Sequence, residues 1–396
     1  MTKLTLEEQL AQDFHANPDQ SLPSWDVEMY VSCGVLRHNG RHSYPVTTEE
    51  ETEAIDFGAL HDSFSNPSLV ETTITKDQGT AKPLFIDVSA VNIDKSQLKG
   101  IGVGEDPLLA LIDRDKGSGR QLPYELMVPW TAADANDISR DAESLISPMP
   151  FHSNEQIILY LHGGGYTGGS PGSHRILVHA ISAAVNQRAF SLDYRLAPRH
   201  PFPAQLHDAY IAFLYLLNQG FKAENIVLAG DSAGGHLCVS LALLLRHAGC
   251  PKPRGVVLLC PWVDLDLQDT ETVRANSRYD YLCPHRLEMP TTPVRLFYKP
   301  GHRANSAYIE ELHDPYVSPI YADFTGFPPT LIQSGEREVI IEGIRTLYQR
   351  MKEASAEDAS ILYEEYADMV HVFHRFPFRP EVYKALASIV RFITSL

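Results

Sequence analysis

A serine hydroxyl becomes a useful nucleophile when an imidazole takes its proton during attack and a carboxylate holds that imidazole in the right tautomer. In this sequence the serine suited to that role lies in Gly230-Asp231-Ser232-Ala233-Gly234-Gly235. The stretch follows a short apolar run, Asn225–Ala229, and precedes helical spacing over Gly235–Leu245, so it reads as strand, sharp turn and helix. Ser232 then sits on a strained turn with its Oγ above the strand ends. The glycines two before and two after it leave room for the chain to double back. The pattern Gly-x-Ser-x-Gly alone arises by chance in about one chain in ten of this length. His162-Gly163-Gly164-Gly165, directly after the apolar run Gln156–Leu161, arises in well under ~1% of chains. Two such turns, each at a predicted strand end, point to one site.

The base must be sought among 17 histidines. His371 follows a predicted strand, Ser360–Tyr363, by a short loop, so it can reach the same sheet edge as Ser232. It also comes after the serine along the chain. His374 is its local competitor.

The elements that must position these residues come from the hydrophobic pattern. From Gln156 onward apolar strands alternate with helices: Gln156–Leu161, helix Arg175–Val185, strand Ala189–Leu192, helix Gln205–Leu217, then Asn225–Ala229 and the serine turn. Further strands are expected at Gly255–Leu259, Thr330–Gln333 and Ser360–Tyr363, with helices at Ile340–Ala354 and Pro380–Ser395. That alternation predicts an α/β fold with a mainly parallel central sheet and helices on both faces. Upstream, Phe85–Val91 and Leu122–Val128 read as early strands, the second alternating as a half-exposed antiparallel edge does. The polar tract Ala132–Ser147 reads as loop with a helical turn. Between Asp264 and Phe327 the alternation breaks into a Tyr-, Pro-, Arg- and His-rich segment too long for a plain loop. An inserted lid is expected there. Residues 1–80 show a helix at Leu4–His15, acid-rich loops such as Thr47–Glu53 and no catalytic pattern. They are expected to form a helical cover, with the catalytic domain over 81–396.

The chain has 396 residues, 44% of them hydrophobic, ample for a large core. A net charge of −17 disfavours nucleic acid and anionic membranes as partners. The five cysteines (Cys33, Cys238, Cys250, Cys260, Cys283) show no CxxC spacing, so neither a disulfide framework nor zinc is indicated. Cys238 and Cys260 lie in apolar runs and read as small core residues. The N-terminus is a polar amphipathic helix with Leu6, Leu10 and Phe14 on one face and no long apolar stretch. The expectation is a cytoplasmic protein with no membrane span, with no metal or organic cofactor, and with homodimerisation left open.

Together, His162–Tyr166 (HGGGY), Asp193–Ala204 (DYRLAPRHPFPA), Gly230–Gly235 (GDSAGG), Ser318-Pro319 with Pro328-Pro329-Thr330, and Met369–Phe373 resemble the hormone-sensitive-lipase-like carboxylesterases of the α/β-hydrolase fold. The likeness runs from about residue 150 to 390, in order, and leaves residues 1–80 uncovered. It implies a carboxylesterase with a helical cap over the strand ends. It favours His371 over His374 as the base. It also puts the triad acid in Gly335-Glu336-Arg337-Glu338-Val339-Ile340, with Glu338 where the family has aspartate. Glu336 and Glu342 are the alternatives.

By the same resemblance Gly163, Gly164, Gly165 and Ala233 form the oxyanion hole, the amides of Gly164, Gly165 and Ala233 being its donors. In the DYRLAP segment Pro198, Pro201 and Pro203 stiffen the chain, and Asp193 with Arg195 is expected to form a buried ion pair. Tyr166, Trp262 and Tyr281 are candidates to line the substrate pocket. The reaction implied is hydrolysis of a short- to medium-chain or acetyl ester of a small, fairly apolar molecule through an acyl-enzyme. Two other readings share the fold: a specialised natural-product enzyme (lactonase, dehydratase or acyl transfer), and a receptor-like ligand binder. Retention of His371 favours an enzyme over a receptor, since the receptors in this group have lost that histidine.

Overall fold

In a computed structural model the described residues are 4–17, 21–43, 79–99, 107–129, 147–282, 292–302, 304–355 and 360–396. The loop Thr47–Glu53, the tract Ala132–Ser147 up to Ile146, Cys283 and residues 283–291 of the expected lid lie outside them. The strands are β1 Gly79–Asp87, β2 Gln121–Pro129, β3 Ile157–Leu161, β4 Arg188–Leu192, β5 Ile226–Asp231, β6 Gly255–Leu259, β7 Thr330–Gly335 and β8 Ile361–Tyr366. They form one sheet in the order β1-β2-β4-β3-β5-β6-β7-β8. The pairs from β4 to β8 are parallel, whereas β1 with β2 and β2 with β4 are antiparallel. The central strands are mostly apolar because helices cover both of their faces, with buried polar residues such as Arg188 in β4 and Gln333 in β7 as exceptions. The side chains of β3 to β7 are buried without exception.

The helices of the described residues include α1 Leu6–Ala16, α2 Val27–Ser43, α3 Pro107–Asp115, α4 Pro171–Val185, α5 Ala204–Asn218 and α6 Ala233–His247. After β6 come α7 Glu271–Asn276, α8 Pro293–Phe297 and α9 Ser306–Leu312, then α10 Ile341–Ala354 and α11 Pro380–Ser395. Helix α6 carries the sequence AGGHLCVSLALLL, apolar on nearly every side, and Ala233–Leu245 is buried throughout. That is the pattern of a helix enclosed by its neighbours rather than lying on a surface. It packs between β5 and α5, so the first turn of α6 has a fixed place relative to the sheet.

Several expectations about the edges need correction. Strand β1 ends at Asp87 rather than running to Val91, because the Asp87 carboxylate accepts from the Ser89 amide at 3.0 Å and turns the chain into a 3-10 segment, Val88–Ala90. Strand β2 is an interior strand, since β1 occupies the edge. Its polar position, Glu125, is covered by a forked ion pair with Arg175 of α4, at 2.9 and 2.5 Å. The alternation in the sequence therefore marks a buried charge pair and not a solvent face. The N-terminal helix starts at Leu6, where Thr5 and Glu8 form a reciprocal capping box. Helices α2 and α3 were not expected from the pattern.

The DYRLAP segment braces the fold by a different pair from the one expected. Arg195 reaches Asp208 of α5, at 3.0 and 2.8 Å, and Asp115 of α3, at 3.0 Å, rather than Asp193. Arg120 joins the same cluster at 2.6 Å from Asp208. Asp208 is wholly buried. Burial opposes its ionisation, but the charges of Arg195 and Arg120 outweigh that and lower its pKa. Removing one partner of such a cluster leaves buried charge uncompensated. Asp208→Ala is therefore expected to lower unfolding stability by about 3 kcal/mol or more, read as a fall in the urea midpoint. A midpoint unchanged from the parent would show that the cluster holds nothing together.

Candidate active site

The tight turn after β5 places the serine. Ser232 has φ 52° and ψ −119°, a conformation costly for a residue with a Cβ. Its surroundings hold it there: its amide donates to the Leu259 carbonyl at 2.9 Å, and its carbonyl accepts from the amides of Trp262 and His236, both at 3.0 Å. The flanking glycines answer to sterics. A Cβ on Gly234 would lie 1.9 Å from the Leu161 carbonyl oxygen, and one on Gly230 would lie 2.6 Å from the backbone of Gly234. Strand β3 and the elbow approach so closely that no side chain fits between them.

Two loops from the far strands converge on this elbow. His371, in the loop after β8, brings Nε2 to 2.8 Å from Ser232 Oγ. Its Nδ1 is 2.6 Å from Glu338 Oε2, in the turn after β7. The second carboxylate oxygen of Glu338 accepts from the Gly335 amide at 2.6 Å, which fixes the rotamer. This geometry assigns the tautomer: Nδ1–H donates to Glu338, and Nε2 accepts from the serine hydroxyl. Both side chains are buried. Burial alone lowers the pKa of His371, but the hydrogen bond and charge of Glu338, with the charges of Asp280 and Asp231, outweigh it and raise the pKa above its ordinary value.

The competing residues are engaged elsewhere. Glu336 accepts from the Asp368 amide at 3.1 Å, and Glu342 accepts from the Thr270 hydroxyl at 2.9 Å. His374 is buried with Nε2 3.0 Å from Gln333 Oε1, and burial lowers its pKa to about 3. It is a neutral core histidine.

The glycine run after β3 is locked to the same elbow by the residue before the serine. Asp231 accepts from the Gly163 amide at 3.0 Å and from the Tyr160 hydroxyl at 2.7 Å, with His174 Nε2 3.3 Å away. Gly163 is thereby corrected as an oxyanion-hole residue: its amide is spent on Asp231 and serves as an anchor. Gly164 (φ 118°) and Gly165 (φ 59°) follow in left-handed conformations. A Cβ on Gly164 would lie 2.2 Å from the Gly168 carbonyl oxygen, so glycine is required there. Among the described residues no hydrogen bond engages the amides of Gly164, Gly165 or Ala233, the last being an N-terminal amide of α6 with no acceptor in its own helix.

The aromatic candidates divide. Tyr166 is wholly buried, its ring stacked on Phe297 at 4.0 Å and its hydroxyl bonded to His236 Nδ1. It is therefore corrected from pocket lining to core, because the left-handed glycine turn directs the ring inward toward α6. Trp262 is tied to the elbow through its amide and is nearly buried. Tyr281 is partly exposed, with its ring 6.0 Å from that of His371.

Three residues beside the site escaped sequence reasoning. Asp231 sits inside the serine motif at a position the pattern leaves open. Asp280 lies in the segment between β6 and β7, notable in the sequence only for its composition. Cys260, a left-handed residue (φ 50°) after β6, is buried with its thiol hydrogen-bonded to Glu338, and burial pushes that thiol up. The donors Cys260, Glu338 and His371 lie close enough to share an ion, as do Asp115, His207 and Asp208. In both groups the carboxylates are already paired, with His371 in the first and with arginines in the second.

Comparison with known proteins agrees with this architecture. A family model described as alpha/beta hydrolase fold matches residues 158–375. An acetyl-hydrolase of Streptomyces hygroscopicus is 36% identical over 240 residues, covering 60% of this chain and 75% of that one. An esterase of Acinetobacter venetianus is 31% identical over 249 residues, covering 62% and 76%. The crystal structure of an esterase from the bacterial hormone-sensitive lipase family superposes with a TM-score of 0.63 at 27% identity, covering 93% of this chain and 98% of that one. By this family match and these likenesses, the chain belongs to the alpha/beta hydrolase fold family, in its hormone-sensitive-lipase-like group.

Proposed function

We propose that the protein is a serine carboxylesterase that cleaves short- to medium-chain or acetyl esters of a small, fairly apolar molecule, with Ser232 as nucleophile, His371 as base and Glu338 as acid. The observation that carries this reading is the unbroken relay from Ser232 Oγ through His371 to Glu338, at 2.8 and 2.6 Å. Relatives named esterase and acetyl-hydrolase support the ester as substrate class. Ser232 Oγ attacks the ester carbonyl as its proton passes to His371 Nε2, and Glu338 stabilises the imidazolium. The amides of Gly164, Gly165 and Ala233 receive the oxyanion, each such donor contributing about 3–4 kcal/mol of transition-state stabilisation. The tetrahedral intermediate collapses, His371 returns the proton to the departing alcohol, and an acyl-serine remains. A water activated by the same imidazole then releases the acid.

The reading includes a division of the chain. Of residues 1–80, the described helices α1 and α2 act as a cover, with Gly79 and Thr80 already in β1, and 264–327 acts as a lid within a catalytic region of 81–396. Support for the cover comes from Trp25, whose indole donates to the Asp368 carbonyl in the histidine loop at 2.9 Å. Among the described residues no helix is long and apolar enough to cross a membrane. The free cysteines Cys33, Cys238, Cys250 and Cys260 favour a reducing, cytoplasmic location.

p-Nitrophenyl acetate and butyrate are expected to be hydrolysed with an initial burst, and Ser232→Ala to abolish turnover; full activity in that variant would end the assignment of the nucleophile. Glu338→Gln is expected to lower kcat by roughly a hundredfold or more, whereas Glu336→Gln stays near the parent rate, and the reverse ranking would move the acid. The pH profile follows from the raised pKa of His371. The base works only when neutral, so kcat/KM is expected to fall as pH drops through that pKa, with an acid limb above about 6.5, the ordinary histidine value. A limb centred below that value would contradict the electrostatic account of the pair.

A further inference from the structure

Two side chains of the lid segment hold the turn that carries Glu338. Asn276, the last residue of α7, donates from Nδ2 to the carbonyls of Glu336 at 3.1 Å and Glu338 at 2.8 Å. Asp280, one turn further on, accepts from the Val339 amide at 2.8 Å through Oδ2. Its Oδ1 accepts from the His371 amide at 3.3 Å and from the Leu282 amide at 3.4 Å. Both residues are buried, Asp280 completely. One short segment thus satisfies main-chain groups on both sides of the acid and, in addition, the amide of the base.

The loops it grips need holding. Val372, directly after His371, is left-handed at φ 44° and ψ 46°, an outlying conformation for a β-branched residue. Asp368, three residues before His371, is also at positive φ. Such a loop persists only where its surroundings over-determine it. The two loops hold each other in part, the Glu336 amide donating to the Tyr366 carbonyl at 2.9 Å and the Arg337 amide to the Met369 carbonyl at 2.8 Å, and the segment before β7 adds bonds from outside both.

We propose that Asn276 and Asp280 form a strap through which the lid segment positions the acid and the base, making Asp280 a positioning residue for ester cleavage. The inference rests on the reading of Ser232, His371 and Glu338 as the reacting set. A buried carboxylate at this place has a second consequence. Its negative charge adds to those of Glu338 and Asp231 in favouring the imidazolium form of His371, which is the form generated as the serine attacks. Near the imidazole stand the Cys260 thiol, the Tyr281 phenol and His374, and the Arg375 cation acts on Asp231 and on Tyr281. Burial raises the pKa of Cys260 and of Tyr281, and it lowers that of His374. All three are therefore neutral in the working range. Burial pushes the Asp280 carboxyl up to about 6, so it is ionised above neutrality, where the base is free.

The test uses the full chain, with p-nitrophenyl acetate for kcat and KM and NMR titration of His371 in the Ser232→Ala background. Asp280→Asn keeps the shape but places an amide against main-chain donors and removes the charge. It is expected to lower kcat about tenfold or more with KM within about twofold, and to move the His371 titration and the acid limb down by about half a pH unit or more. Asn276→Ala removes only the neutral half of the strap, so it is expected to lower kcat while the limb stays in place. Asn305→Ala, which strips the N-terminal cap from α9 in the same lid segment, is expected to leave kcat and the limb unchanged.

Full kcat in Asn276→Ala and Asp280→Asn overturns the strap. So does a loss of kcat in Asp280→Asn with an unmoved His371 titration, which would reduce Asp280 to a folding role. Should Asp280→Asn not fold, Asn276→Ala decides alone: lowered kcat supports the strap and full kcat overturns it. Hydrolysis surviving Ser232→Ala would instead remove the reading on which the strap rests, so the two failures are told apart.

Discussion

The structure depends on one short contact, the 2.6 Å hydrogen bond between His371 and Glu338 in a place that water does not reach. Burying an imidazole lowers its affinity for a proton, and burying a carboxylate without partners is expensive. Each group makes the other tolerable. Glu338 raises the basicity that burial takes from His371, while His371 and the Gly335 amide give both carboxylate oxygens a donor. In a medium of low effective dielectric such pairing is strong, and the position of every atom around it matters accordingly.

That pair is useful only if the serine meets it, which the sheet arranges by close packing. The approach of β3 to the elbow leaves no space for a Cβ at Gly234. Asp231 then ties the glycine run to the elbow through the Gly163 amide. Ser232 and the amides of Gly164, Gly165 and Ala233 are therefore parts of one interlocked unit. The cluster of Arg195, Asp208, Asp115 and Arg120 ties α3 and α5 to the DYRLAP segment.

The segment between β6 and β7 does more than link the two strands. Its first helix ends in a residue that donates to carbonyls of the acid turn, and the following turn accepts from amides on both sides of the relay. Polar groups contributed across the connection between β6 and β7 thus add to the main-chain bonds that the two loops make with each other. The placement of this segment and the geometry of His371 and Glu338 are therefore linked.

Much of this was legible in local pattern. Parallel strands buried on both faces are mostly apolar, so β3 to β7 announced themselves, as did the turns at Ser232 and after Leu161, where only glycine fits. The order of Ser232, Glu338 and His371 along the chain likewise follows the strand order. Charge pairing across elements was not legible. Glu125 looked like a solvent-facing residue because nothing near it in sequence reveals Arg175, and Arg195 found Asp208 rather than its neighbour Asp193. Tyr166, placed by its motif beside the substrate, was turned into the core by two left-handed glycines. Backbone sterics and hydrophobic periodicity act between near neighbours, so the sequence by itself determined the strands, the elbow and the glycine loop. Which buried carboxylate meets which donor is decided by contacts between residues as distant as Asp280 and His371, and only the folded chain brings those together.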